Sequence, residues 1–174
     1  MNGSPLHTDK KIEEIYYQYI DMVYRIARML LKDSREAEDA AQSAFVKLMA
    51  SNHTFQNDEH IKAWLIVTVK NECRNTLAHW WHSKRAYLGT MEEEGYLDEN
   101  TDCDLWNAVE GLHSKYKLPL YLYYYEGYKT VEIAEMLGVN HATIRTRLLA
   151  AKRKLKLILE EDDIDEQRRT KSIL

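Results

Sequence analysis

The sequence predicts an all-α protein of two helical domains joined by a flexible acidic linker, the second domain containing a helix-turn-helix. Three observations predict it. Only two prolines and six glycines interrupt the 174 residues, so long helices fit more easily than a many-stranded sheet with its turns. Apolar residues recur at three- and four-residue steps, the period of a helix face buried against a core. Charge is also segregated: His141 to Leu157 holds six Lys or Arg and no acid, whereas Ala86 to Asn107 holds seven Asp or Glu and no base.

The first domain is expected over residues 8–85. Ile12, Ile15, Tyr16, Tyr19, Val23, Ile26, Ala27 and Leu30 give the buried stripe of a first helix. After a short turn at Lys32 to Ser34, Asp33 with Glu36 three residues on resembles a capping box, and Ala37, Ala41, Ala44, Phe45 and Leu48 continue as a second helix. Ser51 to Asp58 is polar and rich in Asn, the composition of a loop. A third helix starts near Glu59, buries Ile61, Trp64, Leu65, Thr68 and Val69, and turns basic and aromatic toward Arg85, with Lys70, Arg74, His79, Trp80, Trp81, His82 and Lys84.

Residues 86–103, with Gly89, Gly95 and the run Glu92, Glu93, Glu94, have linker composition. The second domain is expected over residues 104–160, opened by Leu105, Val109 and Leu112, and residues 161–174 form a charged tail. Within it, Thr130 is placed to cap a short helix that turns Ile133, Ala134 and Leu137 inward. Gly138 can take the left-handed conformation that ends this helix, and Asn140 can cap the next. That order of signals is helix-turn-helix grammar. The second helix would pack Ile144, Leu148 and Leu155 against the first and present His141, Thr143, Arg145, Thr146, Arg147 and Lys152 outward. Guanidinium groups bind guanine edges or phosphates, and Thr and Asn reach bases or backbone oxygens, so this face suits the major groove of duplex DNA.

Net charge is −4, which alone argues against a protein that coats nucleic acid, but the basic stretch shows that the average conceals a local binding face. Cys73 and Cys103 are the only cysteines and form no CxxC pair, and no charged-then-apolar signal segment opens the chain. A cytoplasmic protein without a disulfide framework is expected. No apolar run approaches the roughly 20 residues of a membrane span, so no membrane insertion is expected.

From Tyr128 the chain reads Tyr-Lys-Thr-Val-Glu-Ile-Ala-Glu-Met-Leu-Gly-Val-Asn-His-Ala-Thr-Ile-Arg-Thr-Arg-Leu, preceded by Leu118-Pro119, and this resembles region 4 of sigma-70 family factors of the extracytoplasmic-function (ECF) group. Ala142 stands where the family often has glycine, a mild departure. Independently, Ala37-Glu-Asp-Ala-Ala-Gln-Ser-Ala-Phe-Val-Lys-Leu is similar to the family's region 2.2. Together the resemblance covers about Glu13 to Glu160, and no separate third domain is expected. It implies a non-enzymatic subunit that lends promoter specificity to bacterial RNA polymerase core, with no cofactor and no metal. The partners it implies are the β and β′ subunits of that core, promoter DNA and, by family habit, an anti-sigma factor.

The resemblance also assigns roles. Thr130, Asn140, His141, Thr143, Arg145, Thr146, Arg147 and Lys152 would contact the −35 element, and Asp39, Gln42 and Phe45 would dock on the β′ clamp helices. The segment from Phe55 through Trp64 to Asn71 and Arg74 resembles the part that recognises the −10 element, where a base is flipped out of the stack. Asn57, Asp58, Glu59 and His60 would form a cup for that base, with Asn71 below it, offsetting an unstacking cost of a few kcal/mol. The acidic linker would thread toward the polymerase channels or act as a simple tether.

Other functions are weaker on the residues. Cys73, His79 and His82 are poorly spaced for zinc and lack a fourth ligand. Glu93 and Glu94 fall in the linker and are expected to be solvated. Tyr121, Tyr123, Tyr124, Tyr125 and Tyr128 are expected mostly in helix packing; at least one of Trp80 and Trp81 is expected in the core, and beside Lys84 and Arg85 the pair is equally placed to stack on single-stranded DNA. The runner-up function is a stand-alone dimeric helix-turn-helix repressor or activator.

Overall fold

A computed structural model describes residues 9–85, 108–109 and 111–171. Its elements are α1 (Asp9–Leu30), α2 (Ser34–Ala50), α3 (Asp58–Arg85), α4 (Ser114–Tyr124), α5 (Thr130–Leu137) and α6 (His141–Lys171), with no strand among the described residues. Contacts divide the chain into two units between Glu94 and Gly95.

The first unit is a three-helix bundle in which α1, α2 and α3 each pack on the other two. Ile15, Tyr19, Met22, Val23, Ile26, Ala27 and Met29 form the buried face of α1. Its chain end is closed by the Arg28 guanidinium, which donates to the Lys32 carbonyl at 2.7 Å. Asp33 caps α2 as expected, its Oδ1 accepting from the amides of Arg35 (2.8 Å) and Glu36 (3.1 Å). On α2 four buried alanines, Ala37, Ala40, Ala41 and Ala44, let the neighbouring helices approach closely. Asn57 caps α3 through an Oδ1 bond from the His60 amide at 2.9 Å. Helix α3 contributes Ile61, Leu65, Ile66, Val69 and Cys73 to the core, and no described residue beyond Cys73 is buried on it.

In the second unit, Ala108, Val109 and Leu112 are buried ahead of α4, whose Leu118, Pro119, Leu120, Tyr121 and Leu122 are all buried. Pro119 lies inside this helix and removes one backbone hydrogen bond, a cost its burial offsets by packing. The turn between α5 and α6 follows the expected grammar. Gly138 adopts φ 65 and ψ 39, its amide bonds to Glu135 O at 3.2 Å, and the Val139 amide bonds to Ala134 O at 3.0 Å. These two bonds satisfy the last carbonyls of α5. Asn140 then caps α6, its Oδ1 accepting from the Ala142 amide at 2.8 Å. Ile133, Ala134, Ile144, Leu148 and Ala151 close the core where α5 and α6 meet.

Several expectations are corrected. Thr130 is the first residue of α5 and not its cap; Lys129 takes that place, and its amide donates to Glu132 Oε2 at 2.7 Å. Tyr16 is 37% exposed because it lies at the edge of the α1 face, its ring meeting Phe45 edge-on at 4.9 Å. Both Trp80 (41%) and Trp81 (44%) are exposed and rest against each other edge-to-face. Among the tyrosines of α4 and the turn after it only Tyr121 is buried, because consecutive helical positions point in different directions. The expected acidic linker at 86–103 and Leu105 lie outside the described residues, as do His82, Glu93, Glu94 and Cys103 at side-chain level.

Candidate nucleic-acid interface

The start of α6 is held by two local devices, the Gly138 turn and the Asn140 cap, so its first turns stand rigidly on α5. Burying Ile144, Leu148 and Ala151 forces the intervening positions outward. His141, Arg145, Thr146 and Lys152 are exposed, and Thr143 and Arg147 half-buried. At about 100° per residue, Arg145 and Arg147 lie roughly 200° apart on opposite flanks of α6 and reach different parts of a ligand. Lys152 keeps its ammonium 5.7 Å from the Tyr124 ring centroid, a cation–π contact that aims it from the α4 side. The Thr146 hydroxyl donates to the Ala142 carbonyl at 2.9 Å. Asn140 spends its Oδ1 on the cap, and Thr130 Oγ1 lies 2.7 Å from His141 Nε2. From His141 to Leu157 this helix carries no acid, so the surface suits a polyanion.

In the first unit, the polar loop before α3 is ordered by three rings: His53 and Phe55 each lie about 6 Å from Trp64, at 6.1 and 6.0 Å. Trp64 is half-buried beneath them. The Tyr19 hydroxyl donates to the Asp58 carbonyl at 3.3 Å, tying α1 to the start of α3. Burial, with the Asp58 and Glu59 carboxylates nearby, raises the Tyr19 pKa above its ordinary value. Asn57, Asp58, Glu59 and His60 are exposed at this end, and Asn57 uses its Oδ1 as the α3 cap. Asn71 lies on the same face as His60 but eleven residues further along a continuous helix, about 16 Å by helical rise. It therefore cannot complete a cup around the same base, contrary to the expectation. His60, Trp64, Val67, Asn71, Arg74, Ala78 and Trp81 instead form one stripe along α3, none of them buried. Lys70 flanks it, its pKa lowered first by burial and then by the neighbouring Arg74 cation. Two cations this close favour an anionic partner between them.

On α2, Asp39 and Gln42 are exposed but Phe45 is buried. The three do not share one outward face. The residues that do are Arg35, Asp39, Gln42, Val46 and Met49, spaced four, three, four and three apart, with Val46 61% and Met49 57% exposed. This is the spacing with which one helix packs along another. Sequence reading missed Val46 and Met49; the available signal was two apolar residues four and seven positions beyond Gln42, off the Ala37, Ala41, Ala44, Phe45, Leu48 stripe.

Cys73 is fully buried and burial pushes its thiol up to about 12, which leaves it neither a nucleophile nor a metal ligand at neutral pH. His79 is exposed nearby with Glu36, Asn75, Thr76 and Trp80 around an open groove. Among the described residues no cluster of His, Cys, Asp or Glu could hold a metal ion, and no helix is long and apolar enough to cross a membrane.

Comparison with known proteins shows the family of the two units. Residues 15–82 match sigma-70 region 2 and residues 104–155 match sigma-70 region 4. The RNA polymerase sigma factor SigV of Bacillus subtilis is 30% identical over 148 residues, covering 81% of this chain and 86% of that protein. The ECF RNA polymerase sigma factor SigM of the same organism is 23% identical over 164 residues, covering 89% and 99% respectively. Among solved structures, the sigma factor RpoE, crystallised with the anti-sigma factor NepR from Bartonella quintana, shares the fold with a TM-score of 0.70 at 19% identity, covering 87% of this chain and 98% of that one. Sigma factors are non-catalytic regulators. This chain belongs to the sigma-70 family of RNA polymerase sigma factors, in its extracytoplasmic-function group, and serves promoter-specific initiation of transcription.

Proposed function

We propose that the two units divide the promoter between them. The second unit holds the −35 duplex through the exposed start of α6, with Arg145 and Arg147 on its two flanks and Lys152 on the phosphates. The first unit captures the −10 strand along α3, where His60 and its neighbours receive a flipped base and Asn71, Arg74 and Trp81 meet nucleotides further along the strand. The outer face of α2, from Arg35 to Met49, docks on helices of the polymerase β′ subunit. The single observation that carries this reading is that, among the described residues, the start of α6 and the stripe along α3 present basic and aromatic side chains that are exposed or half-buried.

The location that follows is the cytoplasm, where polymerase works. An anti-sigma factor is a further proposed partner, supported by the RpoE complex, whose fold this chain shares. A stand-alone dimeric repressor is disfavoured, since it has no use for a region 2 unit.

The test is promoter opening with core polymerase, followed by permanganate reactivity of unpaired thymines. Arg145→Ala is expected to lose about 1–3 kcal/mol of binding that depends on the −35 sequence. His60→Ala and Asn71→Ala are expected to keep that binding and lose opening at different −10 positions. Loss of −35 dependence in the α3 variants, or of none in Arg145→Ala, contradicts the division.

A further inference from the structure

Thr130 and His141 begin the two helices of the helix-turn-helix, eleven residues apart in sequence, and their side chains meet at 2.7 Å through Oγ1 and Nε2. Neither group is buried, so the contact adds little to folding. It does something else to the imidazole. A neutral histidine has one ring nitrogen as donor and the other as acceptor, and whichever role Nε2 takes fixes the opposite role for Nδ1.

We infer that Thr130 is a specificity-determining residue that acts through His141, setting its ring so that Nδ1 accepts a hydrogen bond from an exocyclic base amine. This rests on the reading of α6 as the helix that enters the −35 duplex. The argument follows the protons. Thr130 stands at the first turn of α5, where backbone phosphates are met in this motif, and a phosphate offers only acceptors. A threonine hydroxyl has one proton to give. On DNA that proton goes to the phosphate, so the hydroxyl oxygen accepts from Nε2–H, and Nδ1 is left as the acceptor. In the major groove the donors are the N4 amine of cytosine and the N6 amine of adenine. A phosphate contact that would carry no sequence information on its own thus sets which base edge His141 can read.

The partner chosen by Thr130 differs from those of the other polar side chains at this end of α6. Thr146 and Asn140 each spend a side-chain bond on the backbone of α6. Thr130 spends its own on a side chain at the groove.

The experiment uses the full chain with core polymerase and a promoter library randomised through the −35 element, read by sequencing of bound DNA. The wild type is expected to favour one base pair at one position, and on a fixed promoter to lose affinity when that pair's exocyclic amine is removed. His141→Ala is expected to flatten the preference at that pair, by about tenfold for a good contact. Thr130→Val, nearly isosteric but without the hydroxyl, is expected to flatten the same pair, the double variant to add nothing further there, and Thr130→Ser to restore it. A Thr130→Val protein that binds every sequence more weakly with an unchanged profile overturns the coupling, as does unchanged affinity for a fixed promoter in which that pair's amine is removed by purine in place of adenine or pyrimidin-2-one in place of cytosine. A flat wild-type profile throughout overturns the −35 reading itself, whereas a profile shaped by Arg145 but unmoved by His141→Ala overturns only this inference.

Discussion

Cys73 shows how a single side chain can mislead at the level of composition and be settled by packing. With His79 and His82 on the same helix it suggests a metal or a nucleophile, but it completes the buried row Leu65, Ile66, Val69, Cys73. Its thiol, pushed up to about 12 from an ordinary 9.0, stays protonated in the folded bundle. The folded pKa is raised above the unfolded one, so the contribution is fully present below pH 9 and is lost as pH rises toward 12. Equilibrium unfolding should therefore show stability falling above pH about 9 by up to about 1.4 kcal/mol per pH unit. Cys73→Ala should lack that part of the slope, leaving the shallower part due to tyrosines such as Tyr19, whose pKa is also raised. Equal slopes for the two proteins would refute the burial argument. Thr130 is the opposite case: sequence gave it a capping role by position, and Lys129 holds that place because the chain enters α5 one residue earlier.

At the scale of elements, what was legible in the sequence was what is written locally. Gly138, Asn140, Asp33 and the alanine stripe of α2 each act within a few residues, and each does in the structure what its chemistry demands. What was not legible depends on where a neighbour stops. Nothing in Trp80-Trp81 says that both rings stay exposed on α3, and nothing in Tyr123-Tyr124-Tyr125 says that α5 and α6 leave them exposed. The α2 face failed for a different reason. Asp39, Gln42 and Phe45 at three-residue steps drift about 60° backward per step, so Phe45 turns into the core while Val46 and Met49 turn out beside Asp39. The consequence separates stability from docking. Phe45→Ala should cost about 3–5 kcal/mol of folding free energy, the usual toll of emptying a buried aromatic site. Val46→Lys should change stability by no more than about 0.5 kcal/mol, as exposed positions do, yet weaken core polymerase binding markedly. Denaturant unfolding and a core-binding titration on both variants check this. Val46→Lys binding core as tightly as the wild type would remove α2 from the interface.

For the whole molecule, the net charge of −4 and the six cations of the acid-free stretch from His141 to Leu157 belong to one design. One short basic face neutralises only a few phosphates, and the net charge of the whole chain is negative, so binding by this protein alone is expected to be weak and salt-sensitive. Two weak contacts become strong when a scaffold fixes their spacing, because the second then forms at a high effective concentration. Core polymerase is that scaffold. The two units have separate cores, and in the division proposed above each would present its own face to the promoter.

The most direct test of this division is binding of the purified chain to a labelled promoter fragment across a range of protein concentrations, with and without core polymerase. The account predicts tight binding and permanganate-reactive −10 thymines only when core is present. Tight binding of a palindrome by the chain alone, with half-sites about 10 base pairs apart and no change on adding core, would contradict it.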